Sequence, residues 1–457
     1  MVAQTVAARL RRHIALVGMM GAGKSTVGRE LADRTARPFV DTDAEIEKRF
    51  GPIPELFERS EAEFRRIEEH VVAEALAGPT AVIALGGGAV LSAATRERLR
   101  ASAFTVVLDV DVGTAWQRVR GSDRPLAQDE EDFRELYERR VVVYHELADA
   151  LAHEADEVCL ALLGIADRLL TEGPIAVIAD ERVVALHGSP VDDGAVHAVP
   201  PGEQAKTFAI VERLLNEIDV GRDGEIVAYG GGSTIDVAGF VAATYMRGVA
   251  WFAVPTTLTG MVDAAIGGKT GINTLDGKNL AGAFHFPEGV IIDTRVLATL
   301  PDIERHAGMA EVVKTGLLAG REVWALPETE MIRACAAYKA GVVISDPYEQ
   351  DRRRILNLGH TFAHALETGS GYTVRHGDAV ALGLLAALRL SGQPTDVVED
   401  VLQPKRVRAD PDAAWAALKR DKKGEGVFVL LDGPGRPVIS TVSDRDARDA
   451  LDALIAK

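Results

Sequence analysis

The stretch Gly18-Met19-Met20-Gly21-Ala22-Gly23-Lys24-Ser25 follows a short apolar run, His13 to Val17, and precedes a segment of helical composition, Ser25 to Thr35. A loop of the form G-x-x-x-x-G-K-S between a strand and a helix points backbone N–H groups at phosphate oxygens. Lys24 is predicted to reach the terminal phosphates of ATP, and Ser25 to face Mg²⁺. The predicted ATP contacts are Gly21, Ala22, Gly23, Lys24, Ser25 and Thr26.

The alternation of strands and helices predicts an α/β protein with parallel sheets. Further strand-like runs lie at Phe39-Val40, 81–85 and 105–108, with charged helical stretches such as Glu61 to Ala77 between them. The pattern from Ala150 to Leu170 indicates helix, and Gly173-Pro174 interrupts it. We therefore predict a P-loop domain at 1–170, a linker at 171–174, an α/β nucleotide-binding subdomain at 175–300 and a mainly helical, metal-binding subdomain at 301–457. Within the last of these, Pro394 to Pro411 is predicted to be loop.

Composition narrows the function class. The chain has 457 residues, and its 68 acidic against 51 basic residues leave a formal charge of −17. This charge opposes nonspecific binding to nucleic acid or anionic membranes. Only Cys159 and Cys335 are present, so neither a disulfide framework nor a cysteine metal site is supported. No run approaches the ~18 apolar residues of a membrane span. We expect a cytoplasmic enzyme acting on small molecules.

A cluster of metal-ligand residue types lies in the predicted helical region. His360 and His364 are four residues apart and so share one helix face, and His376 and Glu311 complete a set of four candidates. Three of them could hold one zinc-type cation with an open coordination position. Farther toward the N terminus, the turn 230–232 with Asp236 suggests dinucleotide phosphate binding, although such a turn alone is a weak signal.

The N-terminal motifs resemble those of shikimate kinase over nearly all of residues 11 to 170. They are the phosphate loop, Asp41-Thr42-Asp43, Phe64-Arg65-Arg66, Gly86-Gly87-Gly88 and Ser122-Asp123-Arg124-Pro125-Leu126. The resemblance implies that Asp41 helps Ser25 to hold Mg²⁺ and that Asp43 binds the reacting hydroxyl. It implies shikimate contacts at Asp43, Arg65, Gly87, Gly88 and Arg140, and a catalytic lid arginine at Arg124. Arg118 and Arg120 both remain candidates for contact with adenine.

The C-terminal motifs resemble 3-dehydroquinate synthase from about Pro174 onward. They include Pro255-Thr256-Thr257, the run 261–273, the run 277–282, and the residues Glu311, Arg353, Asn357, His360, His364 and His376, followed by Asp421-Lys422-Lys423. The resemblance implies that Glu311, His360 and His376 hold Zn²⁺ or Co²⁺. It implies sugar-phosphate contacts at Arg247, Asp263, Lys269, Asn279, Lys314, Lys339, Arg353, Asn357, His364 and Lys422, with Lys423 an alternative to Lys422. Of these, Lys269, Lys314, Asn357 and His364 are expected to be catalytic.

The same resemblance implies NAD⁺ as second cofactor. The NAD contacts that it implies are Asp180, Glu203, Lys206, Gly231, Gly232, Asp236, Thr256, Thr257, Asp263, Lys278 and Thr299. The implied reaction converts 3-deoxy-D-arabino-heptulosonate 7-phosphate into 3-dehydroquinate and phosphate, with NAD⁺ regenerated in each turnover. A homodimer through the synthase half is an expected assembly.

The second half departs from the family pattern in four places, one of which is Asp378, where the family has glutamate. An early strand region is missing between Leu170 and Ile175, Arg182 replaces an asparagine, and the segment from Leu390 to Asp421 is short, so we expect a trimmed domain. Two alternatives stay open for this half: another sugar-phosphate cyclase that makes an inositol-like ring, or an inactive oligomerisation module.

Overall fold

The chain divides into two compact units, Met1–Leu163 and Gly164–Lys457, in a computed structural model. The structure describes residues 5–122, 125–169, 173–275, 277–421 and 426–456. Arg124, Lys422 and Lys423 lie outside the described residues, and so do positions 171–172 of the predicted linker. The break between the units precedes the predicted linker.

The first unit alternates strands with helices from its start. Its elements are α1 (Val6–Arg9), β1 (His13–Val17), α2 (Lys24–Thr35), β2 (Phe39–Asp41), α3 (Thr42–Phe50), α4 (Ile53–Arg59), α5 (Glu61–Ala77), β3 (Val82–Ala84), α6 (Ala93–Ser102), β4 (Ala103–Leu108), α7 (Val112–Val119), α8 (Glu130–Leu147), β5 (Ala150–Ala152) and α9 (Ala155–Leu162).

These strands form one parallel sheet in the order β2-β3-β1-β4-β5. Strand β1 lies in the centre and all five of its residues are buried, which explains its continuous apolar run. In a parallel sheet the loops that leave the carboxyl ends of the strands meet at one edge. The phosphate loop follows β1, Asp43 lies in the first turn of α3 directly after β2, and Gly86 to Gly88 follow β3. The fold therefore brings these predicted site residues to the same edge.

The second unit begins with an α/β half and continues with helices. Its elements are β6 (Ile165–Ala166), β7 (Ile175–Asp180), α10 (Glu181–His187), β8 (Ala195–Val199), α11 (Phe208–Glu217), β9 (Glu225–Gly230), α12 (Gly232–Thr244), β10 (Ala250–Pro255), β11 (Lys269–Thr274), β12 (Gly277–Phe284), β13 (Gly289–Ile291), α13 (Asp302–Ala319), α14 (Glu328–Ser345), α15 (His360–Gly369), α16 (His376–Leu390), α17 (Asp396–Leu402), α18 (Pro411–Asp421), β14 (Val427–Leu431), β15 (Pro437–Thr441) and α19 (Asp444–Asp452).

Six strands of this unit form a parallel sheet in the order β6-β13-β10-β9-β7-β8. Strands β11 and β12 form a separate antiparallel hairpin. Helices α13 to α18 pack around a large apolar core in which α15 and α16 are mostly buried. The α/β fold class and the division into a nucleotide-type half and a helical half are confirmed.

Two predictions about elements are wrong. The segment from Ala150 to Leu170 is not one helix, because β5 extends the first sheet and β6 pairs with β13 in the second. The predicted loop from Pro394 to Pro411 contains α17, whose Val398 and Leu402 are buried in the helical core. The helical subdomain also carries the β14–β15 hairpin. Each missed element is short and gains its stability from tertiary packing rather than from a long periodic pattern.

Among the described residues, no helix is both long and apolar enough to cross a membrane.

Candidate active sites

The phosphate loop has the backbone that its glycines permit. Gly18, Gly21 and Gly23 all have positive φ, at 139°, 84° and 88°. A Cβ at Gly21 would lie 2.6 Å from the carbonyl oxygen of Ala115, so a larger residue would collide with backbone there. Lys24 bends back and donates to the carbonyls of Gly18 and Met19, at 2.8 and 3.0 Å. The Lys24 ammonium group therefore lies against the backbone of the phosphate loop.

Ser25 and Asp41 lie together, as the Mg²⁺ prediction requires. The Ser25 hydroxyl donates to Asp41 Oδ2 at 2.5 Å. The other oxygen of Asp41 caps α3, accepting from the backbone N–H groups of Asp43 and Ala44. A hydroxyl and a carboxylate at the mouth of a phosphate loop are ligands that suit Mg²⁺.

The five residues predicted to bind shikimate line one cleft, with Asp43 on α3, Arg65 on α5 and Arg140 on α8. Arg140 is buried, and its Nε has no hydrogen-bond partner among the described residues. Burial lowers the pKa of Arg140, with Tyr144 opposing the change. A Cβ at Gly88 would lie 2.1 Å from Arg65 Nη1, so the glycine run lets the guanidinium approach the strand end. Two convergent guanidinium groups suit a carboxylate ligand.

Glu68 belongs to this cleft although the sequence did not single it out. It is 3% exposed, and its Oε2 accepts from Arg65 Nη1 at 2.6 Å. Burial raises the pKa of Glu68, while Arg65 lowers it. Its position three residues after Arg65 was the available signal, since such pairs meet on a helix.

Of the two adenine candidates, Arg118 donates to the phosphate loop at Gly21 O, 3.0 Å away.

In the second unit, three helices bring the predicted metal ligands together. Glu311 lies within α13, and His360 and His376 begin α15 and α16. One ligand atom from each lies within 4.8 Å of the others. The Nε2 atoms of both histidines lie 3.4 Å from Glu311 Oε1. His364 stands beside this group, with its ring centre 5.8 Å from that of His360.

The donor set fits a zinc-type cation. Glu311 is 1% exposed, and Lys314 Nζ lies 2.5 Å from its Oε2. Within the described part of the chain, neither oxygen accepts a hydrogen bond of normal geometry. His360 Nδ1 lies 3.2 Å from the carbonyl oxygen of Leu358. A carbonyl only accepts, so Nδ1 carries the proton and the Nε2 lone pair faces Glu311. His376 is 43% exposed, which leaves the site open on one side. One carboxylate and two imidazoles with an open side match a catalytic cation site.

Next to this triad lies a buried group of charges. Lys314 is 2% exposed and Lys339 is 7% exposed, and both face Asp263 Oδ1, at 3.7 and 2.7 Å. Although burial opposes ionisation, Lys314 and Lys339 lower the pKa of Asp263 to about 2. Burial likewise opposes the charge on Glu311, but Lys314 keeps its pKa well below the ordinary value. The group remains charged at neutral pH and suits an anionic ligand.

Glu349 is a second residue that the sequence did not single out. Its carboxylate pairs with Lys269, and Asn357 Nδ2 donates to its Oε1 at 3.4 Å. Glu349 has a positive φ of 55° in the turn that precedes Arg353. Lys269 and Asn357, both predicted to bind sugar phosphate, are therefore held by a carboxylate in this structure. Arg353 is buried in the same turn and donates to Pro347 O at 2.7 Å.

The predicted dinucleotide contacts gather at the carboxyl edge of the second sheet. Asp180 ends β7, Gly231 follows β9, and Thr256 and Thr257 follow β10. These three strands are neighbours. A Cβ at Gly231 would lie 3.0 Å from Thr257 Cγ2, so the turn leaves little space for a side chain. Such an edge is the usual place for a dinucleotide. Asp180 caps α10 and lies 3.4 Å from Arg182 Nη2.

Several other predicted NAD contacts pair with polar side chains in the structure. Lys206 Nζ lies 2.5 Å from Asp236 Oδ2 and also pairs with Asn279, which places Asn279 with the dinucleotide residues. Glu203 accepts from Asn273 at 2.7 Å. Thr299 Oγ1 lies 2.7 Å from His187 Nε2. Lys278 precedes Asn279 in β12, and its Nζ lies 3.7 Å from Glu367 Oε1.

Arg247 lies far from the sheet edge that carries the predicted dinucleotide contacts. It is exposed in a turn after α12, with φ of 67°. Helix α12 starts at the carboxyl edge of the sheet and has 13 residues, which places its end about 20 Å away. The strand that follows begins at the opposite edge, where Ala250 pairs with Glu225.

The first unit thus has the fold and cleft of an ATP-dependent phosphotransferase, and the second those of a cyclase that uses a dinucleotide and a metal. The family model of shikimate kinase matches residues 20–167. Those of the N-terminal and C-terminal domains of 3-dehydroquinate synthase match 196–307 and 308–423.

Individual relatives agree with the family models. A 3-dehydroquinate synthase of Thermobifida fusca is 43% identical over 276 residues, 53% of this chain and 74% of the relative. A solved 2-deoxy-scyllo-inosose synthase complexed with carbaglucose-6-phosphate, NAD⁺ and Co²⁺ has a TM-score of 0.56 at 25% identity, covering 62% of this chain and 90% of that one. The 2-epi-5-epi-valiolone synthase ValA of Streptomyces hygroscopicus subsp. jinggangensis, with NAD⁺ and Zn²⁺ bound, also has a TM-score of 0.56 at 25% identity, covering 64% and 91%.

The chain belongs to the 3-dehydroquinate synthase family and carries a shikimate kinase domain ahead of the synthase in one polypeptide. The prediction of a trimmed synthase half is wrong. Both family models match it, and it spans 90% of a solved relative. Strand β6 supplies an edge strand ahead of Leu170, and α17 fills the segment after Leu390.

Proposed function

We propose that the first unit transfers the terminal phosphoryl group of ATP to shikimate, giving shikimate 3-phosphate. The second unit converts 3-deoxy-D-arabino-heptulosonate 7-phosphate into 3-dehydroquinate and phosphate. The observation that carries the first activity is the single cleft lined by Asp43, Arg65 and Arg140. The second rests on the triad of Glu311, His360 and His376 beside buried lysines.

In the kinase, basic side chains hold the two anionic substrates, shikimate and ATP, so that their reacting groups face each other. Arg65 and Arg140 bind the shikimate carboxylate, which leaves a ring hydroxyl near Asp43 to be deprotonated. Lys24 and the loop N–H groups hold the ATP phosphates, and Ser25 with Asp41 would hold Mg²⁺. Arg124, the lid arginine that the resemblance to shikimate kinase implies, would stabilise the charge that develops on the transferred group.

In the synthase, the chain supplies position and charge. When bound, NAD⁺ provides reversible oxidation of a substrate hydroxyl, and the divalent cation polarises that oxygen. Glu311, His360 and His376 would hold the cation. Lys314 and Lys339 remain near Asp263 to bind the oxygens of the substrate, while Lys269, Asn357 and His364 bind its phosphate. Substrate phosphate takes the place of Glu349 at Lys269.

A second candidate is another sugar-phosphate cyclase, favoured by the inosose and valiolone synthases among the solved relatives. Those structures are 25% identical, whereas the 3-dehydroquinate synthase of Thermobifida fusca is 43% identical. The kinase partner acts in the same pathway as a 3-dehydroquinate synthase, which favours the first proposal. An oligomerisation module without activity would not need an open cation site.

A paired assay on one preparation tests the proposal. Protein given NAD⁺, Co²⁺ and the heptulosonate phosphate should release phosphate and 3-dehydroquinate, and the same protein given ATP, Mg²⁺ and shikimate should form shikimate 3-phosphate. Glucose 6-phosphate serves as the control substrate. Turnover of glucose 6-phosphate with none of the heptulosonate phosphate would support the other cyclase, and NAD⁺ binding without any phosphate release would support the module.

Location and assembly are also part of the proposal. We place the enzyme in the cytoplasm, which supplies ATP and NAD⁺, and we expect a homodimer formed through the synthase half. Sedimentation of the whole chain at several concentrations tests the assembly.

A further inference from the structure

Glu367 is a buried carboxylate beside the metal site that the proposed function has not used. It is 5% exposed and lies on α15, seven residues after His360. Seven residues are about two helical turns, so both side chains project from one face. A carboxylate that is buried without charged or hydrogen-bonding partners is strongly unfavourable. The partners of Glu367 therefore indicate why it is there.

One partner is the metal-ligand candidate His376. Glu367 Oε1 lies 3.4 Å from His376 Nδ1, while the other ring nitrogen, Nε2, lies 3.4 Å from Glu311 Oε1. A carboxylate at Nδ1 fixes the proton there and leaves the Nε2 lone pair for a cation. His360 has the same arrangement, with the carbonyl of Leu358 at its Nδ1. Each imidazole is thus oriented by an oxygen acceptor at its Nδ1, on the opposite side of the ring from Glu311.

The other partner is Lys278, from the β11–β12 hairpin. Its Nζ lies 3.7 Å from the same Oε1 of Glu367 and 4.7 Å from the ring centre of Tyr372. One oxygen therefore faces both His376 and Lys278. Lys278 is a predicted dinucleotide contact. If it turned toward that ligand, the Glu367 charge would act on His376 alone, which would make the imidazole a stronger ligand.

We propose that Glu367 is a positioning residue that orients His376 for the cation and links cation binding to dinucleotide binding through Lys278. This inference rests on the proposed synthase function for the identity of the two ligands. Binding of either ligand strengthens binding of the other, because the coupling free energy between two sites is reciprocal.

The test is titration of the metal-free whole chain with Co²⁺, with and without saturating NAD⁺, following the visible d–d absorption of the bound ion. We expect NAD⁺ to tighten Co²⁺ binding several-fold in the wild type. Glu367→Gln keeps an acceptor but loses the charge, and it should weaken Co²⁺ binding by roughly 10- to 100-fold and abolish the NAD⁺ effect. Glu367→Leu should weaken binding further. Glu330→Gln, at an exposed position on α14, is the matched control.

Wild-type Co²⁺ affinity and spectrum in Glu367→Gln would overturn the inference, and so would a wild type whose Co²⁺ affinity is unchanged by NAD⁺. A purely structural role would lower the melting temperature of the metal-free protein and leave the affinity and spectrum of the remaining folded protein unchanged. The proposed function fails separately, if the wild type binds both ligands as expected but does not turn over the heptulosonate phosphate.

Discussion

At the residue scale, the two sites use side chains from separate units, so single substitutions should separate the activities. Lys24→Ala removes the ammonium that stands over the phosphate loop and should lower shikimate phosphorylation by about 100-fold or more, with 3-dehydroquinate formation unchanged. His360→Ala should do the reverse and lose stoichiometric metal. Both rates are measured on each variant, and Lys48→Ala, at an exposed position on α3, is the control. Loss of both activities in a folded Lys24→Ala protein would contradict the assignment.

Lys339 should make the synthase sensitive to alkaline pH. Burial lowers the pKa of Lys339 to about 8 although Asp263 opposes this, and Arg353 adds to the lowering. The unfolded chain keeps the proton to an ordinary pKa of 10.5. Between these values the unfolded state binds more protons, so this group makes the free energy of unfolding rise with pH.

Substrate binding should change in the opposite direction over the same pH range. As the pH rises through 8, the Lys339 ammonium is lost, and the KM for the sugar phosphate should rise. In Lys339→Arg, the guanidinium stays protonated, so the rise should move to higher pH. The pH profile of KM for both proteins is the measurement. A wild-type KM that stays constant from about pH 7 to 9.5 would exclude this role of Lys339.

Most of the candidate site residues could be predicted from local motifs. The sequence motifs give four candidate metal ligands, and the family resemblance selects Glu311, His360 and His376, whose side chains the fold brings together. Glu349 and Glu367 could not be found in this way, because their importance comes from partners distant in sequence, Lys269 and Lys278. Arg247 was predicted from a motif, but the structure does not place it with the other site residues. A motif match does not fix at which edge of a sheet a residue lies.

At the element scale, β6 should contribute to the stability of the second unit despite its two residues. Ile165 packs against the core of that unit, whereas Ala166 is exposed. Ile165→Asp would bring a charge into that contact and should cost about 1–3 kcal/mol. Ala166→Asp is the matched control, because alternate residues of a strand face opposite ways. Thermal inactivation of both activities in one sample is the measurement, and only the synthase should become more labile. Equal effects of the two variants would contradict a packing role.

Elements with a clear apolar or charge pattern could be predicted, and elements without one could not. Helix α5 has the bounds expected from its charge pattern, and β1 is the buried strand that its apolar run predicts. Strand β6 and helix α17 lack enough residues to show a period, and their pairing or packing partners are far along the chain.

At the scale of the whole molecule, each unit carries one cysteine that can report on its unfolding. Cys159 and Cys335 are both fully buried, and burial raises the pKa of each thiol to about 12. Because the thiolate is the reactive form, neither should be alkylated in the native protein. On heating Ile165→Asp, mass spectrometry should detect alkylation of Cys335 before Cys159. Rapid labelling of either thiol in the cold native protein would contradict their burial.

The position of β6 also sets a lower limit on the length of the chain segment that connects β6 to β7. In the sheet, Ala166 is level with Ala179 and four strand spacings from β7, which begins at Ile175. The direct distance from Ala166 to Ile175 is then about 23 Å, and the nine peptide steps between them reach about 31 Å at most. Six peptide steps would reach only about 21 Å, which is less than this distance. Removal of three residues between Ala166 and Ile175 would therefore pull an end strand out of register, so a cut that separates the two enzymes has to fall before Gly164.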